Sequence, residues 1–114
     1  MTAHALLETA GGLLADDGGI LAMDESIATC NRRFAAAGIE QSVESRRSYR
    51  ELLVTTPGLA DSIRGAILCD ETIRQRTEAG TLMIETLVDA GIIPGIKVDA
   101  STVPMAGHPG ERIT

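Results

Sequence analysis

The sequence predicts an α/β fold built on a parallel sheet with both faces covered, and two observations carry that prediction. Three short apolar runs, "GILAMD" from Gly19, "GAILCDET" from Gly65 and "GIKVD" from Gly95, each begin with glycine and reach an acid. The segments between them space their apolar residues at helical intervals rather than in strand alternation. Strands alternating with helices in this way specify β/α units.

In chain order, Leu6, Leu7, Ala10, Leu13 and Leu14 recur at helical spacing and predict an amphipathic opening helix that ends near Asp17, Gly18 and Gly19. The first apolar run follows. A second helix is expected within "SVESRRSYRELLVT", packing Val43, Leu52 and Leu53 while Arg46, Arg47 and Arg50 crowd another side. In "TPGLADSI", Thr56 is the expected cap and Pro57 the first helical residue. After the second run, "GTLMIETLVDAG" places Leu82, Thr86, Leu87 and Ala90 on one helical face, with Gly91 as the stop. The third run then puts Asp24, Asp70 and Asp99 at the same end of the sheet. That carboxyl end is where β/α folds build their sites.

Composition narrows the function. With 114 residues, of which 44% are hydrophobic, the chain can form one modest core and is not expected to be disordered. A net charge of −6 with one tyrosine and one phenylalanine excludes a basic, aromatic-lined nucleic-acid surface. No run has membrane-spanning length, and the opening residues lack a basic, apolar leader, so a cytoplasmic protein away from membranes is expected. Cys30 and Cys69 have neither metal-ligand spacing nor a disulfide framework and read as small, reduced, buried residues. His4 and His108 stand at opposite ends without companion ligands, so no metal is expected. No phosphate-binding glycine motif follows any of the three runs.

Lys97 is the sole lysine of the chain and stands between Ile96 and Val98. On a strand, Ile96 and Val98 would face one way and Lys97 and Asp99 the other. An ammonium is costly to bury unpaired, so Lys97 either pairs structurally with an acid such as Asp99 or faces a wet, charged cavity. Both readings stand at this level. After the first run, "DESIATCNRRF" gathers Asp24, Glu25, Ser26, Thr29 and Arg33. Hydroxyl and guanidinium donors suit an anionic group, and the same residue types also cap and solubilise helix starts.

Taken together and in order, "GILAMDES", "RRF", "SRRSYRELL", "GAILCDETI", "GIIPGIKVD" and "VPMAG" resemble class I fructose-bisphosphate aldolases of the bacterial and plastid type. The resemblance runs from about Gly19 to the end. It implies that residues 1–114 are the N-terminal part, about three βα units, of a (β/α)8 TIM barrel, cut before the Schiff-base strand. The implied reaction is cleavage of fructose 1,6-bisphosphate to dihydroxyacetone phosphate and glyceraldehyde 3-phosphate through a lysine Schiff base, with no metal or other cofactor. By the same resemblance Asp24 is the acid beside the Schiff-base lysine and Lys97 an active-site cation. Ser26, Thr29, Arg33 and Arg46 fall at positions associated with substrate phosphate. Complete members of the family are homo-oligomers. Where many members have asparagine this chain has Ile27, where they have glycine then lysine it has Asn31 and Arg32, and where lysine and glycine commonly follow "GIKVD" it has Ala100 and Ser101. A full barrel takes about 250 residues. This chain alone is therefore expected to be inactive, and a non-catalytic phosphate- or partner-binding module of aldolase ancestry is the alternative.

Overall fold

The computed structural model describes residues 2–114. Helix α1 spans Ala3–Leu13, with the Thr2 hydroxyl accepting the Ala5 amide at 3.1 Å as its cap. A turn of 3-10 helix at Ala15–Asp17 ends it where the glycines suggested, with Asp16 and Asp17 at φ 52° and 55°. The three apolar runs then supply strands β1 (Gly19–Ala22), β2 (Ile63–Leu68) and β3 (Ile93–Ile96). All pair in parallel, in the order β1-β2-β3.

The helices α2 (Ile27–Ala36), α3 (Val43–Val54), α4 (Leu59–Ser62), α5 (Asp70–Ile73) and α6 (Met83–Asp89) fill the connections. Successive residues of β2 face opposite ways. Ala66 and Leu68 enter a core with Met23, Val54, Met83, Leu87 and Ile92. Gly65 takes α1 on the other side: a Cβ there would lie 2.5 Å from Leu13 Cδ2, so only glycine lets the helix approach. Gly91, at φ +82°, turns the chain out of α6 as expected.

Four expectations are corrected. The packed side of α3 is not the one formed by Val43, Leu52 and Leu53: Val43 and Leu52 are exposed, while Arg46, Arg50 and Val54 are buried. These three are spaced by four residues and so form one stripe of the helix. Thr56 does not cap the next helix, because its hydroxyl donates back to Leu52 O at 2.7 Å, and α4 starts beyond Gly58, which turns at φ +77°. In α6 the buried residues are Met83 and Leu87, and Ala90 is exposed. Finally, β3 ends at Ile96, one residue before the lysine, although the Lys97 amide still donates to Leu68 O at 2.8 Å. A short hairpin of β4 (Val103–Pro104) and β5 (Arg112–Ile113) follows.

Strands β1 and β3 each pair on one side only. Ile20 and Ile96 on those strands are about half exposed, and so are Leu6 and Leu7 of α1 or more. Open parallel edges with apolar side chains template association. The purified chain is expected to self-associate in solution, as light scattering coupled to gel filtration would show; a monodisperse monomer with a cooperative melt would contradict this.

Among the described residues, no helix is long and apolar enough to cross a membrane, and no three His, Cys, Asp or Glu side chains group as metal ligands.

Candidate active site

Because the three strands run parallel, the segments that leave their carboxyl ends meet. Asp24 comes from β1, Cys69 and Asp70 from β2, and Lys97 and Asp99 from β3. Lys97 Nζ lies 3.3 Å from Asp99 Oδ1 and 3.6 Å from Asp24 Oδ2, so the ammonium bridges two carboxylates. A cleft of about 620 Å³ opens beside it, reached by Ser26, Cys69, Asp70, Lys97 and Asp99. Both sequence readings of Lys97 therefore hold at once: it is paired, and it faces a cavity. Of the positions where the chain departs from its resemblance, Ile27, Ala100 and Ser101 line the same cleft, whereas Asn31 and Arg32 lie further along α2. Ser101 stands at φ +90°, its amide 3.4 Å from Asp99 Oδ2.

Asp99, and more weakly Asp24, hold the Lys97 ammonium above its ordinary range, and Lys97 in turn holds Asp99 below the usual carboxylate range. A raised lysine stabilises the fold fully below its unfolded value and loses that contribution as pH rises through the folded one. A depressed carboxylate contributes above its unfolded value and loses it as pH falls through the folded one. The bridge is thus complete across the whole span between the two. Competitive acetylation of Lys97 against a free lysine standard should give a midpoint above the standard's, lowered further by Asp99→Asn than by Asp24→Asn. A midpoint at or below the free value would count against the bridge.

Ser26 caps α2: its Oγ accepts the Thr29 amide at 3.1 Å and donates to Thr29 Oγ1 at 3.1 Å. The two hydroxyls expected near phosphate are therefore together, and Ser26 reaches the cleft. Arg33, one face further along α2, is largely exposed and donates to Glu25 Oε2 at 2.8 Å. Arg46 is different. It is buried, with Nε and Nη2 on the Glu71 carboxylate at 2.8 and 3.1 Å and Nη1 on Asn31 Oδ1 at 2.8 Å. Its forked pairing with Glu71, whose bonds raise it further above its ordinary range, makes it a strut between α2, α3 and α5.

Two residues that sequence reasoning passed over organise this region. Arg50 is 1% exposed and donates Nε to Met23 O and Nη2 to Glu25 O, both at 2.9 Å, and Nη1 to Cys30 Sγ at 3.0 Å. Its guanidinium also lies 5.2 Å from the centre of the Tyr49 ring. Glu25 receives Arg33 and the Tyr49 hydroxyl, the latter at 2.8 Å. Burial pushes the Glu25 carboxyl up, but its own amide, the Tyr49 hydroxyl and the charges of Arg50 and Arg33 outweigh that and hold it low. The four-residue spacing of Arg46 and Arg50 places them on one stripe of α3 and Glu25 stands beside Asp24, but neither feature shows that the stripe is buried.

The family model described as fructose-bisphosphate aldolase class-I matches residues 5–114. The chain belongs to the class I fructose-bisphosphate aldolase family. It is 54% identical, over all of its own length and 34% of the relative's, to a probable class 1 aldolase of Xanthomonas campestris. A chloroplastic aldolase of Chlamydomonas reinhardtii is 49% identical over 93% of this chain and 28% of its own. The solved aldolase of Plasmodium falciparum, in complex with TRAP and a small-molecule inhibitor, superposes with a TM-score of 0.90 at 44% identity, covering 96% of this chain and 32% of that one. The chain thus spans about a third of the length of these aldolases. The α/β fold here matches that of the family.

Proposed function

We propose that this chain forms the N-terminal third of a (β/α)8 barrel that cleaves fructose 1,6-bisphosphate to dihydroxyacetone phosphate and glyceraldehyde 3-phosphate. The observation that carries the reading is the Lys97 bridge between Asp24 and Asp99, at the carboxyl ends of the parallel strands β1 and β3 that flank β2, beside an open cleft. In this reading the Schiff-base lysine, the glutamate acid/base and the remaining phosphate loops come from strands outside this sequence. Asp24 stands beside that lysine and balances its charge. Lys97 contributes a fixed positive charge that orients substrate; with two carboxylates against it, it stays protonated and is a poor nucleophile. The hydroxyls of Ser26 and Thr29 and the exposed guanidinium of Arg33 receive the phosphate of the six-carbon end. Arg46 acts at one remove, by holding Glu71. The completed assembly is a soluble cytoplasmic homo-oligomer.

The test joins this chain, by co-expression, to the remaining two thirds of the Xanthomonas campestris relative. Borohydride in the presence of dihydroxyacetone phosphate should label a lysine of the complementing part. Lys97→Met should leave that label in place while turnover falls. A label on Lys97 itself would overturn the assignment of roles. Fructose 1,6-bisphosphate held without cleavage would favour a non-catalytic binding module.

A further inference from the structure

Asp24 is placed by its neighbours on the chain. It follows the last residue of β1 by two positions, so sheet hydrogen bonds do not hold its own peptide units. The nearest ladder contact is the Met23 amide on Ile67 O at 3.1 Å. Beyond it the backbone carbonyls on either side of Asp24, those of Met23 and Glu25, both accept from one group, the Arg50 guanidinium, at 2.9 Å each. Arg50 is itself immobilised. It projects from the middle of α3, is 1% exposed, rests against the Tyr49 ring and spends its third nitrogen on Cys30. A planar fork that spans two carbonyls fixes orientation as well as distance, which a lysine in the same place does not do.

We propose that Arg50 is a positioning residue: its fork grips the chain on both sides of Asp24 and so sets that carboxylate against Lys97. This rests on the reading of the Asp24 and Lys97 pair as part of the site. The carboxylates against Lys97 are Asp24 from the end of β1 and Asp99 from its own segment; Asp70 and Glu71 line the same cleft, paired with Arg74 and Arg46. Arg50 reaches Asp24 from behind, through backbone, and makes no contact with the ammonium.

The readout is competitive acetylation of Lys97, resolved by peptide mass spectrometry so that association or added lysines do not obscure it. The background is Asp99→Asn, which leaves Asp24 as the carboxylate paired with Lys97. In that background Asp24→Asn must lower the Lys97 midpoint; if it does not, the pair is absent, and the reading of the site falls together with the proposal. With that effect in hand, Arg50→Lys keeps the buried charge but breaks the fork, and the midpoint should fall most of the way to the Asp24→Asn value. Adding Asp24→Asn to Arg50→Lys should then change little. Arg50→Met gives a second check by sign. Loss of a cation by field alone would raise the Lys97 midpoint, whereas release of Asp24 lowers it. Far-UV circular dichroism, which does not depend on the contact of Arg50 with Cys30, reports that each variant is folded. An unchanged or raised midpoint in Arg50→Lys, with the Asp24→Asn effect intact, overturns the proposal alone. So does loss of the helical circular dichroism signal in both variants, which would make Arg50 a folding residue only.

Discussion

Purified alone, the chain is expected to leave fructose 1,6-bisphosphate uncleaved. Its one lysine is clamped between Asp24 and Asp99, and an ammonium in that position offers no free pair of electrons to a carbonyl carbon. Positioned proton transfer is worth about 10²–10⁴-fold and correct orientation of the reactants more still. In the proposed reading both need the Schiff-base lysine and the glutamate acid/base, which are supplied from outside this sequence. In a coupled assay of triose phosphate release the chain should therefore match buffer. Activity should appear on addition of the complementing two thirds. Cleavage by the chain alone, abolished by Lys97→Met, would mean that Lys97 is the nucleophile and that the proposed division of roles is wrong.

The largest expected effect on stability comes from Arg46→Met. Removing one partner of a buried pair leaves the other charged and unanswered, and here Glu71 would lose both bonds of its fork while Asn31 loses one. Such a change costs about 3–5 kcal/mol, and the 21% exposure of Glu71 places this one near the lower figure. Domains of this size are stable by about 5–15 kcal/mol in total, so the loss is large. Replacing both partners, Arg46→Met with Glu71→Met, should recover most of it, since two apolar side chains in contact leave no stranded charge. Urea midpoints compared at one protein concentration would show this. If Arg46→Met instead melts like the parent chain and weakens only phosphate binding, the guanidinium is a ligand and not a strut.

Much of this architecture could be read from the residues because strand and helix periodicities are local properties. The glycine-led runs ending in acids located β1 and β2, and Gly91 located the end of α6. What escaped was the orientation of α3. Hydrophobicity assigns Leu52 inward and Arg50 outward, yet Arg50 finds two backbone carbonyls, a sulfur and an aromatic ring inside, while Leu52 finds nothing to cover it. A buried guanidinium is a decision made by partners distant in sequence, and no spacing rule within α3 announces Met23 O. The same holds for the site. Asp24, Ser26, Thr29 and Lys97 were legible as motif residues, but the pairing of Lys97 with both acids depended on β3 ending at Ile96, which frees the following residues to curl toward β1.

The order β1-β2-β3 also bears on how the chain comes to be folded. Each strand hydrogen-bonds to the one made just before it, and no strand waits for a partner synthesised much later. Pairing of distant segments is what slows folding and exposes sheets to aggregation, because long loops must close before any contact rewards them. Here every strand pairing spans a single βα unit, so the sheet can grow in the direction of translation. The opening helix is the exception: Leu13 and Gly12 of α1 meet Gly65 and Ile93 only after β2 and then β3 are made.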